Sequence, residues 1–288
     1  MCRFVGYMGK PIIVDKLLIK PINSLMNQSH HALESEMTVN GDGFGIGWYN
    51  HLIRKEPALY RSIRPAWNDE NLKYNAAMIK TNCLLAHVRA ATQGGVSIEN
   101  CHPFQYKNFL MMQNGGIKDF IKIKRKLINR LDETLFRWVN GDSDTQYTFA
   151  LLLTIVKEHK KNDKPLSREE LVLCLSQTFA EIEEMKKEAR LFSPSLYNLI
   201  LTNGEEMIAT RYSTHPETDS RSLHIARRAT FYIDDNGFLK FRDPDTNDHS
   251  ILVSSEILSR EAGFWQEVPE NHSIIINKNL EVYIQPLE

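Results

Sequence analysis

Two groups of strand-like segments flank a helical region in this chain, and this order limits the folds that it can adopt. Short apolar runs bounded by Gly, Asn and Asp indicate strands in the first part of the chain, at residues 2–7, 43–49, 83–89 and 109–113. Similar runs follow the helical region, at 197–202, 207–211, 231–234, 251–253 and 274–276. Strands and helices do not alternate in βαβ order, so the pattern predicts an α+β fold in which helices cover antiparallel sheets.

Helical periodicity begins a few residues after Gly116. Apolar residues recur there at spacings of three and four, at Phe120, Ile123, Leu127, Leu131 and Leu135. The spacing predicts one amphipathic helix. The Lys and Arg residues of 122–130 are then most simply its solvated face, and a nucleic-acid-binding patch is the weaker interpretation.

Two more helices are predicted before the second group of strands. One begins near Asp144, with Asp144 or Ser143 as its N-cap. The other begins at Ser167, because Ser167 and Glu170 match the capping box, in which two side chains satisfy free backbone N–H groups of the first turn. No linker rich in Pro, Gly or Ser divides the chain, so residues 1–288 are predicted to form a single domain.

The charge of the chain is balanced. Its 288 residues include 35 basic and 36 acidic side chains, which give a formal net charge of −1. Such a balance offers no general attraction for nucleic acid or for an anionic membrane. No apolar run is long enough to span a bilayer, and the pattern of a signal peptide is missing. We therefore expect a cytoplasmic protein that binds neither nucleic acid nor membrane; homo-oligomerisation stays open.

The chain has four cysteines, which are Cys2, Cys83, Cys101 and Cys174. They lie far apart and form no C-x-x-C pair, which suits reduced thiols better than a disulfide framework. A zinc site can be assembled on paper from Cys83, His87, Cys101 and His102, but the paired spacing of structural zinc sites is missing. We therefore predict no metal and no cofactor.

Cys2 directly follows Met1, and this position gives the thiol a possible catalytic role. Methionine aminopeptidases remove Met before small residues, which would leave Cys2 with a free α-amine. A thiol is partly ionised at neutral pH, and an α-amine with a pKa of roughly 7.7–8.0 can move its proton without a histidine. Taken alone, a cysteine here is more often only the start of a strand, so the case depends on other motifs.

Four glycines alternate in the segment 41–47, which suggests a phosphate-binding loop. A dinucleotide-binding fingerprint needs a helix directly after the loop, whereas Trp48 and Tyr49 continue a strand here. The glycines instead indicate a tight turn and a strand to which another backbone segment comes close.

Six short motifs occur in one order along the chain. They are Met-Cys-Arg-Phe at 1–4, Asn-Gly-Asp-Gly-Phe-Gly at 40–45, Ala-His-Val-Arg-Ala-Ala-Thr at 86–92, Asn-Cys-His-Pro-Phe at 100–104, Asn-Gly-Gly-Ile at 114–117 and Ser-Asp-Thr at 143–145. The set resembles the class II glutamine amidotransferases of the N-terminal-nucleophile hydrolase superfamily. It is most similar to the stand-alone branch that contains the amidotransferase subunit of the fungal glutathione-degradation complex and the ergothioneine-pathway γ-glutamyl hydrolases. Ser254-Ser255-Glu256, Trp265 and Val268-Pro269 resemble the C-terminal signature of the family.

The resemblance implies a four-layer αββα sandwich with two antiparallel sheets, and it implies a nucleophile and an oxyanion hole. Cys2 would attack the γ-amide carbonyl of a glutamine-like group, and its α-amine would accept and return the proton. Asn114 and Gly115 match the Asn-Gly of the family, in which the amide side chain and a backbone N–H form the oxyanion hole.

The resemblance also implies residues that hold the substrate head group. Arg89 matches the arginine that binds the α-carboxylate, a role suited to its two-pronged guanidinium. Asp144 matches the acid that pairs with the α-ammonium, and Thr92, at the end of the same motif as Arg89, is grouped with them. Considered singly, Arg89 could cap a strand, Asp144 could be only an N-cap, and Asn114-Gly115 could be only a turn.

Two positions depart from the family pattern. Gln113 stands where His commonly precedes the Asn-Gly, and Gln146 stands where Glu is common. Neither is a nucleophile, but both affect the surroundings of proposed site residues. His87 and His102 are interpreted as structural, because an N-terminal amine makes a histidine base unnecessary.

Two enzymatic reactions remain open. One is hydrolysis of a small-molecule γ-glutamyl amide such as glutathione, with a separate metallopeptidase for the remaining dipeptide. The other is a glutaminase that supplies ammonia to a partner synthase. A catalytically silent or complex-dependent subunit of this fold is the rival from another class, and hydrolysis of a non-glutamyl amide is a third hypothesis. The leaving-group pocket is expected in loops such as 53–75.

Overall fold

Two antiparallel sheets and two layers of helices make up the structure, a computed structural model. It describes residues 2–32, 39–91, 94–160, 166–215, 218, 220–242, 249–259, 261 and 263–287. Within these ranges no helix is long and apolar enough to cross a membrane. The predicted α+β class with antiparallel sheets is confirmed, whereas the single domain over 1–288 stays a prediction.

The first sheet has eight strands among the described residues, and the N-terminal strand lies at its centre. In chain order the strands are β1 (Arg3–Ile13), β2 (Phe44–Trp48), β3 (Ala58–Ser62), β4 (Lys80–Val88), β9 (His224–Ile233), β10 (Leu239–Arg242), β11 (Ser250–Ser254) and β12 (Trp265–Glu267). Their order across the sheet is β10-β9-β11-β1-β4-β2-β3, and β12 also pairs with β9. The central position of β1 gives the residue before it, Cys2, a fixed place at the sheet end.

The second sheet has six strands within the ranges that the structure describes. They are β5 (Phe104–Tyr106), β6 (Phe109–Ile117), β7 (Ser195–Thr202), β8 (Met207–Arg211), β13 (His272–Ile276) and β14 (Val282–Pro286). Their order is β14-β13-β8-β7-β6-β5. β6 therefore lies between β5 and β7, and all of its residues from Leu110 to Ile117 pair with β7.

Seven helices in the described part of the chain cover the outer faces of the two sheets. They are α1 (Asp15–Leu18), α2 (Leu25–His30), α3 (Glu70–Met78), α4 (Phe120–Arg130), α5 (Glu133–Trp138), α6 (Asp144–His159) and α7 (Arg168–Glu188). Apolar residues of α1–α3 pack on the first sheet, and those of α4–α7 pack on the second. A third core, which includes Phe4, Leu85, Met112 and Ile200, fills the space between the sheets. The layers are therefore αββα, as the resemblance implied.

The glycines of 41–47 allow a close approach of backbone, as predicted. A Cβ on Gly45 would collide with the carbonyl oxygen of His102. A Cβ on Gly43, which has a φ of 114°, would lie 2.7 Å from the Sγ of Cys101. The segment 101–103 therefore rests directly on β2, which only glycine permits here.

The single helix predicted through Leu135 is wrong, because the chain forms α4 and α5 there. α4 ends at Arg130, and the side chain of Asp132 accepts a hydrogen bond from the Thr134 N–H at 3.0 Å as the N-cap of α5. The apolar spacing continues across this break because both helices pack on the same core. The capping box of α7 is confirmed, with both bonds between Ser167 and Glu170 present.

Residues 53–75 were expected to be loops, but much of this segment is regular. It contains β3, a 3₁₀ turn at Ala66–Asn68 and the first part of α3. Trp67 in the turn lines a cavity of about 720 Å³ together with His30 and His31. The leaving-group pocket is thus predicted in a folded unit that packs on the outer face of the first sheet.

Candidate active site

Cys2 directly precedes the central strand β1 of the first sheet, beside the end of β4. Its thiol donates a hydrogen bond to the carbonyl of Ala90 across 3.5 Å. The side chain is partly exposed, yet burial raises the pKa of the thiol, and the nearby charge of Arg89 opposes only part of the rise. The thiol is therefore protonated at neutral pH and needs a base before it can act as a nucleophile.

The N-terminal motif and the C-terminal signature meet next to Cys2. The Nε of Arg3 lies 2.9 Å from a carboxylate oxygen of Glu256, and both side chains are almost fully buried. The Nη1 of Arg3 also donates to the carbonyl of Cys2 at 3.0 Å. The N–H of Phe4 donates to the Oγ of Ser255 at 2.9 Å, and the Ser255 N–H returns a bond to the Phe4 carbonyl at 3.2 Å. Two motifs more than 250 residues apart thus fix the start of β1.

Cys2, Arg89 and Asn114 share one end of the space between the sheets. Phe4, Leu85 and Met112 belong to the core between the sheets. Because successive side chains of a strand alternate, continuing this alternation assigns Cys2, Arg89 and Asn114 to the same space. The pairing of Arg3 with Val88 places Cys2 beside Arg89.

A hydrogen bond joins the two sheets one residue before this group. The Nε2 of His87 lies 3.1 Å from the carbonyl oxygen of Gln113. His87 precedes Arg89 on β4, and Gln113 directly precedes Asn114 on β6. The bond therefore brings the end of β4, and with it Cys2, close to the Asn-Gly pair.

Asn114 and Gly115 are part of β6, so the interpretation of this pair as only a turn is wrong. Asn114 pairs with Asn198 and Gly115 with Tyr197 on β7. Asn114 is buried, whereas Gly115 is exposed. A Cβ on Gly115 would collide with the carbonyl oxygen of Leu196. Glycine is thus required here by the neighbouring backbone.

Arg89 is buried, and its guanidinium faces the loop that follows it. The Nη1 donates to the carbonyl of Gly95 at 3.1 Å, and the Nη2 lies 3.4 Å from that of Gly94. Asp42 holds the backbone two residues after Arg89, because its carboxylate accepts the N–H of Ala91 at 2.8 Å. The motif at 40–45 therefore supports the Arg89 segment, a role that sequence reasoning did not assign. Thr92 lies outside the described residues.

Asp144 is the first residue of α6, and Ser143 occupies the N-cap position without a side-chain capping bond. The two carboxylate oxygens of Asp144 accept the N–H of Ile117 at 2.7 Å and that of Thr145 at 2.8 Å. Burial raises the pKa of this carboxyl, while these N–H groups favour the ionised form. Asp144 thus ties α6 to β6 three residues after Asn114.

His87 and His102 both contact the backbone of Gln113, which fits their interpretation as structural residues. The Gln113 N–H donates to the Nδ1 of His102 at 3.3 Å, while His87 bonds the carbonyl of the same residue. The two rings pack with their centroids 4.3 Å apart. Burial lowers the pKa of His87 to about 3 and that of His102 well below 6.5. Both rings are therefore neutral at physiological pH.

The four residues considered as a zinc site in the sequence do not come together as a ligand set. The Sγ of Cys83 lies 3.6 Å from the hydroxyl of Thr202, and the Sγ of Cys101 contacts the carbonyls of Ser62 and Ser97. Within the described part of the chain, no group of three or more potential ligands is placed to hold a metal ion.

The two departures from the family pattern have structural roles. The side chain of Gln113 donates to the carbonyl of Leu196 at 3.0 Å, on the strand opposite Gly115. That of Gln146 accepts the N–H of Gly141 at 2.8 Å and donates to the Oδ1 of Asn140 at 2.9 Å. Each glutamine therefore supports backbone next to a proposed site residue.

Comparisons with protein families and with curated proteins show to which family the chain is similar. The family model for class II glutamine amidotransferases matches residues 24–282. The probable glutamine amidotransferase DUG3 of Saccharomyces cerevisiae is 36% identical over 302 residues, which cover 100% of this chain and 84% of the yeast protein. The γ-glutamyl-hercynylcysteine sulfoxide hydrolase of Mycobacterium tuberculosis is 23% identical, with 96% of this chain and 94% of that protein covered.

Solved structures show the same fold at low sequence identity. A class-II glutamine aminotransferase domain protein from Silicibacter pomeroyi superposes with a TM-score of 0.67 at 20% identity, over 99% of both chains. The glutamine phosphoribosylpyrophosphate amidotransferase of B. subtilis gives a TM-score of 0.59 at 14% identity, over 99% of this chain and 49% of that one. The predicted four-layer αββα sandwich with two antiparallel sheets is confirmed.

Proposed function

Because this chain belongs to the class II glutamine amidotransferases, we propose that Cys2 is the nucleophile that cleaves the γ-glutamyl amide of glutamine or of a γ-glutamyl peptide such as glutathione. The chain is an enzyme of the hydrolase and amidotransferase type. The observation that carries the proposal is the convergence of Cys2, Arg89 and Asn114 at one end of the space between the sheets.

The reaction requires that Met1 has first been removed, which frees the α-amine of Cys2. That amine takes the thiol proton as the sulfur becomes the nucleophile. The sulfur attacks the γ-carbonyl carbon and forms a tetrahedral intermediate. The ammonium returns the proton to the leaving amine, the C–N bond breaks, and a thioester remains. Water then releases glutamate and regenerates the thiol.

Asn114 and Gly115 stabilise the intermediate in this proposal. The side-chain amide of Asn114 and the backbone N–H of Gly115 donate to the oxyanion, on which charge develops only after attack. β7 pairs with both residues and so holds these donors rigidly. Loss of one such donor costs on the order of 10²–10³ in rate in other enzymes.

Arg89, Thr92 and Asp144 bind the head group in this proposal. The guanidinium of Arg89 exchanges the carbonyls of Gly94 and Gly95 for the α-carboxylate. Asp144 binds the α-ammonium with the oxygen lone pairs that its two backbone bonds leave available.

The partner depends on what lies beyond the scissile bond. A γ-glutamyl peptide leaves an amine that a separate metallopeptidase would consume, whereas glutamine leaves ammonia for a separate synthase. The name of the mycobacterial relative, a γ-glutamyl hydrolase, favours the first. A compartment in the cytoplasm is part of the same proposal.

The test measures glutamate release from glutamine and from glutathione by protein whose N-terminus is verified by intact mass. Cys2→Ala is expected to abolish release, while Cys174→Ala, which removes a buried thiol from α7, keeps it. A quenched reaction should show one glutamyl group added to the wild-type protein and none added to Cys2→Ala.

Three outcomes would contradict the proposal. Release that persists in Cys2→Ala would exclude this cysteine as the nucleophile. No release from either substrate, with Met1 removed, would favour the silent or complex-dependent subunit. Cys2-dependent cleavage of amides without an α-carboxylate would favour the non-glutamyl hypothesis.

A further inference from the structure

Asn100 makes three hydrogen bonds that no catalytic role explains. It ends a 3₁₀ turn at Ile98–Asn100, and its side chain is fully buried. The Nδ2 donates to the carbonyl of Gly95 at 2.9 Å. The Oδ1 accepts the N–H groups of Asp142 at 2.8 Å and of Ser143 at 3.1 Å.

These partners belong to the two halves of the proposed head-group site. Gly95 is the residue whose carbonyl the Arg89 guanidinium also contacts, at 3.1 Å. Ser143 is the N-cap of α6 and directly precedes Asp144. One side chain thus joins the segment that faces the cation to the helix start that carries the anion.

We propose that Asn100 is a positioning residue that sets the spacing between Arg89 and Asp144 and thereby the affinity for the γ-glutamyl head group. The inference rests on the proposed function, because it concerns the same site. Only a primary amide can accept two N–H groups on its oxygen and donate to a carbonyl from its nitrogen. Aspartate at this position keeps the acceptor but faces the carbonyl of Gly95 without a proton to donate.

The shared carbonyl of Gly95 explains why a second donor is needed. When Arg89 turns to a substrate carboxylate, this carbonyl gives up the guanidinium. The amide of Asn100 remains bonded to it, so that the carbonyl is not left unpaired inside the protein. An unsatisfied buried group would raise the free energy of the bound state. Asn100 therefore lowers the cost of the partner exchange in Arg89.

The test compares steady-state kinetics of Asn100→Ala and Asn100→Asp with those of wild type and of Asn140→Ala. Asn140 is an exposed amide of the same region, and its Oδ1 accepts a hydrogen bond from the side chain of Gln146. We expect KM for the γ-glutamyl substrate to rise about 10- to 100-fold in both Asn100 variants, with kcat lowered much less. Asn140→Ala should keep KM within about threefold.

Alkylation of Cys2 separates positioning from general disruption. Iodoacetamide lacks a head group, so its rate with Cys2 should be unchanged in Asn100→Asp, whereas inactivation by a glutamine-like diazoketone should slow by the same factor as KM rises. Equal losses with both reagents, or an unchanged KM, would overturn the inference. A wild-type enzyme that neither releases glutamate nor reacts with the diazoketone would instead refute the proposed function and the inference with it.

Discussion

The buried ion pair between Arg3 and Glu256 gives the most direct test of how the nucleophile is held. The side chains are 2% and 1% exposed, and Nε lies 2.9 Å from the carboxylate. Glu256→Gln leaves the charge of Arg3 inside the protein, where water cannot reach it. Breaking such a pair costs about 3–5 kcal/mol. At about 2–4 °C per kcal/mol, the melting temperature should fall by roughly 6–20 °C.

Urea unfolding of Glu256→Gln measures this cost, and Glu184→Gln is the matched control. Glu184 pairs with Lys187 on the surface of α7 at 3.5 Å, where such pairs contribute at most about 1 kcal/mol. The double variant Arg3→Met/Glu256→Leu should recover most of the stability, because apolar replacement of a buried pair is often neutral. The double variant lacks the bond from Arg3 to the Cys2 carbonyl, so its kcat should be lower than that of wild type. A cost below about 1 kcal/mol for Glu256→Gln would refute this reasoning.

Three other variants test separate parts of the structure. Gly115→Ala should lower kcat by about 10²–10³ without a comparable change in KM, because its Cβ would meet the Leu196 carbonyl and displace the N–H at 115. His87→Gln should weaken the pH dependence of stability in urea titrations between pH 7 and 4. Below pH 6.5 unfolded His87 binds a proton that the folded ring, with a pKa of about 3, does not. The free energy of unfolding therefore decreases as the pH is lowered, by up to about 1.4 kcal/mol per pH unit. His87→Gln removes this contribution to the pH dependence. Gln146→Glu keeps the acceptor for the Gly141 N–H, so the free energy of unfolding should change by less than about 1 kcal/mol.

Each of these expectations has a contradicting result. Full activity in Gly115→Ala would mean that this N–H does not face the oxyanion. An unchanged pH slope in His87→Gln would mean that other groups take up the protons of acid unfolding. Loss of glutamate release in Gln146→Glu at normal stability would give the amide at this position a role in the reaction itself.

Strand and helix patterns in the sequence predicted the layers of the fold but missed its smaller elements. The strands with clear apolar runs formed as expected, whereas β3 and α3 fell in a segment without a clear period. Asp69 did mark the start of α3, because its side chain caps the Leu72 N–H at 2.8 Å. That signal was visible as an Asp followed by Glu70, but a helix with so weak an apolar stripe is recognised only by its packing on the first sheet.

The residues that touch substrate in the proposal were found from motifs, while the residues that hold them were not. Asp42, Glu256 and Asn100 all stand inside motifs that were noticed, yet their tasks depend on which distant backbone groups they meet. A sequence does not give those long-range pairings. The alternation along β1, β4 and β6 became useful only when the register between strands was known.

The two glutamines that separate this chain from the common family pattern bear on whether the subunit is silent. A silent subunit would be expected to lose the groups that hold the reacting centre, because no selection for catalysis would retain them. Gln113 instead bonds the Leu196 carbonyl beside Gly115, and Gln146 closes the turn before Asp144. Both departures keep the proposed oxyanion strand and the start of α6 in place. The ion pair behind Cys2 is likewise intact. The substitutions therefore argue for a differently supported active site, and they weaken the case for a scaffold without chemistry.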